Sequence, residues 1–146
     1  MSIQSGKRYK ITNKESRLVV DLSGADNRSI LGYTYHGGGN QQWFFDRQDN
    51  DQWTIRSAAH HKYLGVETTP ENGIQLVGDD EPQSWNIEIL PFSGEAAGPV
   101  VKLGQWNHGT FFVADFPLER QGNNGAIQLW TAWGGENQSW ILEELN

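Results

Sequence analysis

The chain has 146 residues, of which 17 are Gly, 7 are Trp and none is Cys; apolar side chains make up 36% and the net charge is −7. That length suits one ordinary domain with a real core, and the aromatic content argues against disorder. The lack of cysteine excludes disulfides, thiolate zinc sites and cysteine nucleophiles, and 11 Lys and Arg scattered among 18 Asp and Glu offer no basic face for nucleic acid.

In chain order, Arg8 to Asn13 alternates and reads as a strand. Arg17 to Leu22 is a second, followed by the turn Ser23 to Asn27. Ser29 to Tyr35 is a third, and after Gly37-Gly38-Gly39 and Asn40 comes Gln42 to Phe45. The plan then repeats. Gln52 to Arg56, Lys62 to Glu67, Ile74 to Val77 and Trp85 to Ile89 are strands, with Asn72-Gly73 a strong turn signal between the middle two. A Gly/Pro-rich connection, Pro91 to Pro99, precedes a third set. Its strands are Val100 to Leu103, Phe111 to Phe116, Ala126 to Trp130 and Ser139 to Leu142, with a turn over Gln121 to Gly125. Near twelve short strands and no sustained helical period predict an all-β fold.

One tripeptide organises these strands. Gln-x-Trp occurs as Gln41-Gln42-Trp43, Gln83-Ser84-Trp85 and Gln138-Ser139-Trp140, the tryptophans 42 and then 55 residues apart. The copies delimit three repeats, roughly 6–48, 49–91 and 98–146, within one domain. Repeats that cannot each bury their apolar edge must share a core. Three four-strand units closing on a pseudo-threefold axis make a β-trefoil, whose barrel removes most exposed strand edges.

With Gln-x-Trp in each of three repeats along essentially its whole length, the chain resembles the ricin B-type lectin family, and within it the small fungal fruiting-body lectins. The resemblance implies a β-trefoil without catalytic activity that binds glycans on glycoproteins or glycolipids. Galactose or N-acetylgalactosamine is the implied sugar. In the family, an Asp after the second strand accepts bonds from two sugar hydroxyls, an aromatic on the third strand stacks on the ring, an Asn before Gln-x-Trp donates to a hydroxyl, and the Gln supports the Asp. These roles suit a sugar, which offers one C–H-rich face and a set of hydroxyls.

Carried over residue by residue, the third repeat holds the full set: Asp115, Gln128, Trp130, Asn137 and Gln138, with Trp133 as a candidate second wall. The first holds Asp21, Tyr33, Asn40 and Gln41, with His36 and Gly38 as candidate contacts from the loop and Leu31 where Gln128 stands. The second is read as lost, with Glu67 in place of the Asp, Val77 in place of the aromatic and Pro82 in place of the Asn.

No cofactor or metal is expected. His60-His61 is read as a solvated turn, and Asp46, Asp49 and Asp51 lack the Gly and closing Glu of a calcium loop. Without an apolar h-region or a run of transmembrane length, the expectation is a soluble cytoplasmic protein with no membrane insertion, unconventional secretion remaining open. The sequons at Asn27 and Asn137 carry little weight without a secretory route. Two sites on one domain suit agglutination or defence, and a homodimer would add more. The competing readings are a β-trefoil protease inhibitor acting through loops, and a non-catalytic partner subunit of an enzyme.

Overall fold

A computed structural model describes residues 2–91 and 97–146. Part of the Pro91–Pro99 connection therefore lies outside the described residues. The first repeat contributes β1 (Lys7–Asn13), β2 (Val19–Leu22), β3 (Ile30–Tyr33) and β4 (Trp43–Arg47). The second contributes β5 (Trp53–Ser57), β6 (Tyr63–Val66), β7 (Leu76–Asp79) and β8 (Asn86–Leu90). The third contributes β9 (Val100–Asn107), β10 (Thr110–Asp115), β11 (Gly125–Ala126), β12 (Gln128–Thr131) and β13 (Trp140–Leu145). Helix among the described residues is limited to short 3-10 turns at Gly39–Gln41, Leu118–Arg120 and Glu136–Gln138.

The outer strands of the repeats close a six-stranded barrel. β1 pairs with β4, β4 with β5, β8 with β9, β9 with β13, and β13 with β1. The remaining seam, β5 to β8, is held by a reciprocal pair in which Trp53 and Trp85 exchange backbone bonds of 2.9 and 2.7 Å. The inner strands form three hairpins, β2–β3, β6–β7 and β10–β12. These are linked pairwise into a triangular cap through β11 and β3, Ser29 and Val77, and Gln75 and Gln128. The architecture is a β-trefoil, and every strand edge needed for closure is paired.

Alternation drives the local structure. In β1, Tyr9, Ile11 and Asn13 turn inward while their neighbours stay partly wet. Trp43, Trp85 and Trp140 are fully buried in the shared core. Each indole donates to a carbonyl of its own repeat's second strand: Trp43 to Val20 at 3.1 Å, Trp85 to Leu64 at 2.8 Å and Trp140 to Ala114 at 3.0 Å. The Gln-x-Trp tryptophan is thus an apolar mass whose polar edge is satisfied by one bond.

Several strands depart from expectation. β7 runs Leu76–Asp79, two residues beyond the expected Ile74 to Val77, because it pairs with β6 from Tyr63↔Asp79 to Val66↔Leu76, and β13 continues past Leu142 to Leu145 along β1. The stretch expected as one strand over Ala126 to Trp130 is split at Ile127. There the backbone N–H donates to Ile30 O at 3.1 Å and the carbonyl accepts from Leu76 N–H at 2.9 Å. Ile127 is the point where the three hairpins meet, so its polar groups serve the other two repeats. β9 runs on to Asn107, four residues past the expected end at Leu103, because it pairs with β10 as far as the turn at His108.

Candidate functional site

The first repeat places its residues around Asp21 on β2, whose side chain is buried. One carboxylate oxygen, Oδ2, accepts from Gln41 Nε2 at 2.8 Å, and Oδ1 accepts from Asn40 Nδ2 at 3.2 Å. Gln41 also clamps the loop above. Its Nε2 donates to Thr34 O at 3.0 Å and its Oε1 accepts from the His36 backbone N–H at 2.8 Å. His36 Nδ1 accepts from the Gly38 N–H at 3.1 Å. That bond leaves the proton of a neutral imidazole on Nε2, which lies 3.9 Å from Asp21 Oδ2. Tyr33 stands edge-on to the His36 ring, centroids 6.3 Å apart.

The third repeat builds the same clamp. Asp115 at the end of β10 is buried; its Oδ2 accepts from Gln138 Nε2 at 2.8 Å and its Oδ1 from Gln128 Nε2 at 3.3 Å. Gln138 again grips the loop, donating to Thr131 O at 3.1 Å and accepting from the Trp133 N–H at 2.9 Å. Asn137 Nδ2 donates to Phe116 O at 3.3 Å, while its Oδ1 is buried without a partner among the described residues. Trp130 and Trp133 remain 40% and 60% exposed, so both rings face solvent beside the carboxylate. Together with Gly73 and the 3-10 turn at Leu118–Arg120 they border a groove of about 430 Å³.

The loops match as well. Gly38 and Gly135 precede the two 3-10 turns with nearly the same backbone angles. A Cβ at Gly38 would lie 2.7 Å from both Asn40 Oδ1 and the His36 ring, and one at Gly135 would lie 2.3 Å from the Trp133 ring. Small residues there let the loop side chain fold back over its Asn. The expected residues Asp21, Tyr33, His36, Gly38, Asn40 and Gln41 are brought together in one place, and Asp115, Gln128, Trp130, Trp133, Asn137 and Gln138 in another.

The second repeat differs from the expected alignment by two residues. The carbonyl that receives each core indole marks equivalent positions: Val20, Leu64 and Ala114. The residue after it is Asp21, Gly65 or Asp115, so Gly65, not Glu67, stands in the carboxylate position. Tyr33 lies opposite Val19 and Trp130 opposite Val113, and Asp79 lies opposite Tyr63. Asp79, not Val77, therefore stands where the aromatic would be. A Cβ at Gly65 would lie 2.3 Å from the Gln83 side-chain amide carbon, so Gln83 fills the space that a carboxylate uses elsewhere. Its amide bonds the Val66 N–H and carbonyl at 3.0 and 2.7 Å and donates to Asp79 Oδ2 at 2.8 Å. Bonds from the Glu81 N–H and from Gln83 hold the Asp79 carboxyl below its usual range. This repeat has closed its own site.

Sequence reasoning missed two residues because they come from neighbouring repeats. Asn123 Oδ1 accepts from the N–H and hydroxyl of Thr34 at 2.8 and 3.0 Å. Asn72 Oδ1 does the same for Thr131, at 2.7 and 2.9 Å. Each pins the strand end that carries the aromatic. Their signal was limited to the turn-forming Asn beside Gly73 and Gly122. Among the described residues there is no cluster of three or more His, Asp or Glu placed to hold a metal, and no helix long and apolar enough to cross a membrane.

Comparison with known proteins agrees with the fold. The ricin-type beta-trefoil lectin domain-like family matches residues 2–79. No curated protein matches the chain. Among solved structures, the Macrolepiota procera ricin B-like lectin in complex with lactose is 36% identical, covers 99% of this chain and 100% of its own, and has a TM-score of 0.86. The Rhizoctonia solani agglutinin, at 23% identity over 99% of each chain, has a TM-score of 0.84. ThreeFoil, a designed 3-fold symmetric protein, is 22% identical over 94% of this chain and 99% of its own, with a TM-score of 0.82. Those last two speak to the fold alone. With a family match over half its length, and a fungal relative above 30% identity along nearly all of it, the chain belongs to the ricin-type β-trefoil lectin family.

Proposed function

We propose that the chain binds glycans ending in galactose or N-acetylgalactosamine, without catalysis, at the first and third repeats. The observation that carries this reading is the duplicated clamp. In both repeats two side-chain amides hold a buried carboxylate by one bond per oxygen, beneath an aromatic strand residue. A carboxylate oxygen offers two lone pairs, so each keeps one for a sugar hydroxyl. Amides that aim the carboxylate in advance reduce the ordering cost of binding. Hydrogen bonds to a charged acceptor contribute about 1.5–3 kcal/mol, and the aromatic covers the apolar face of the ring. The lactose complex of the Macrolepiota procera relative supports a galactose-type ligand.

The third-repeat groove is open to solvent, with Trp130 and Trp133 both exposed along it, so a single site of this kind binds weakly. Two on one rigid body raise avidity on a multivalent surface by roughly 10²–10⁴, which suits agglutination or defence. A fluorescently labelled sample on a glycan array is expected to light up galactose- and N-acetylgalactosamine-terminated structures. A folded sample that gives no signal on them, or binds every terminal sugar equally, would refute the reading.

The first site also carries a pH signature. Burial raises the Asp21 carboxyl above the usual carboxylate range, partly offset by the Gln41 amide, His36 and Asn40. Protonation turns one acceptor into a donor, so binding at this site weakens on acidification. Because the value is raised, the loss begins above the ordinary carboxylate value of about 3.9. The same shift acts on the fold in the opposite sense. Stability from protonating Asp21 is full below the unfolded-state value and is lost as pH rises through the folded one, so the charged form costs stability at neutral pH. Lactose titrations of an Asp115→Ala variant, from about pH 7 down to about pH 4, are expected to show this early loss. Affinity flat across that range would remove Asp21 from the site.

A further inference from the structure

The pseudo-threefold axis makes the three junctions between repeats directly comparable, and one of them is open. Counting two residues along the strand from the register pairs of Val19, Tyr63 and Val113 puts Lys14, Ala58 and Trp106 in equivalent positions. At two junctions this residue is zipped by its backbone to the middle residue of the preceding Gln-x-Trp. Ala58 N–H donates to Gln42 O and Lys14 N–H to Ser139 O, both at 2.9 Å. The 3-10 turn before Gln-x-Trp also covers these junctions. Gly39 packs on Ala59, and Glu136 pairs with Lys14 Nζ at 3.2 Å.

The junction between the second and third repeats has neither feature among the described residues. Pro82 stands where the turns carry Asn, no 3-10 turn forms there, and no backbone bond joins Trp106 to Ser84. What remains is a groove of about 350 Å³ walled by Trp106 and floored by Gln83, Ser84, Gln105, Gln52 and Asn86. Trp106 is 58% exposed and stacks on Phe111 with centroids 4.8 Å apart and planes 27° apart. Across the groove, Pro70 is held by Asn107 Nδ2, which donates to its carbonyl at 2.9 Å. The floor amides order one another: Gln105 Nε2 donates to Gln83 Oε1 at 3.3 Å and Gln52 Nε2 to Asn86 Oδ1 at 3.0 Å. Asn86 Nδ2, Gln105 Oε1 and Ser84 Oγ make no hydrogen bond among the described residues, and all three residues line the groove.

We propose that this groove is a saccharide site of a second kind, taking a neutral pyranose on the Trp106 ring and reading its hydroxyls with amides and no carboxylate. The lining carries no formal charge, so an ionic ligand would be desolvated without a partner. A stacked, exposed indole with uncharged donors and acceptors beside it matches a ring that has one C–H face and a rim of hydroxyls. Closure of the second repeat's own pocket by Gln83 and the opening of this groove share one origin, the turn-less segment before Trp85.

The test removes both other sites. In an Asp21→Ala/Asp115→Ala variant, neutral disaccharides (lactose, cellobiose, maltose and N,N′-diacetylchitobiose) are titrated while the indole N–H resonance of Trp106 is followed, assigned through Trp106→Ala. At least one sugar is expected to give a saturable shift of that resonance and of the Gln105 side-chain amide, with binding lost in the triple variant carrying Trp106→Ala. No shift with any of the four, or a shift seen in the wild type that disappears in the double variant, would overturn the proposal. Failure of the Asp21 and Asp115 reading would show instead as unaltered lactose binding in the double variant, away from Trp106.

Discussion

Replacing Trp85 by alanine is expected to cost about 3–5 kcal/mol of stability, the range for removing a large buried aromatic. A domain of this kind has about 5–15 kcal/mol in total, so the loss is a large share of the whole and moves the unfolding midpoint well below the wild-type value. The indole is fully buried where three repeats meet, and its loss also leaves Leu64 O without its 2.8 Å donor. Trp85 tests this role cleanly because its repeat has no carboxylate pocket. Trp130→Ala, at a 40% exposed position, should cost under about 1 kcal/mol. Urea unfolding of the two variants separates core from surface tryptophan. A Trp85→Ala midpoint near the wild-type value would mean that the Gln-x-Trp repeat does not hold the fold.

The second large effect falls on binding. Asp115→Ala removes both hydroxyl acceptors of the third repeat at once. Losing hydrogen bonds to a charged group at about 1.5–3 kcal/mol corresponds to a weakening of roughly 10- to 100-fold or more. The fold should tolerate the change, because Gln138 keeps its bonds to Thr131 O and the Trp133 N–H. Following the Trp130 indole resonance during a lactose titration reports this site alone. A titration curve unchanged from wild type would show that the Asp115 carboxylate holds the loop and does not touch sugar.

Three Gln-x-Trp motifs at trefoil spacing were enough to read the fold, because each tryptophan does the same job in each repeat. Asp21 and Asp115 were legible through the family resemblance, each as the residue after two apolar ones on the repeat's second strand, and the structure shows both buried and held by the repeat's own Gln. The second repeat was misaligned because counting through a shortened loop cannot fix register, which is set by cross-strand pairing. The pairing of Tyr63 with Asp79 moves both key positions by two residues, and Gly65 shows its meaning only beside Gln83. Asn72, Asn123 and Trp106 were hidden for another reason. Each acts across a boundary between repeats, where no periodicity within one repeat can point.

Soaking crystals of the wild-type protein with lactose tests the central claim most directly. The expected result is galactose seated at Asp21 in the first repeat and at Asp115 in the third, each ring covered by Tyr33 or Trp130. No sugar is expected against Gly65 in the second. Lactose bound away from both carboxylates, or in the second repeat's pocket in place of the Gln83 amide, would contradict the account.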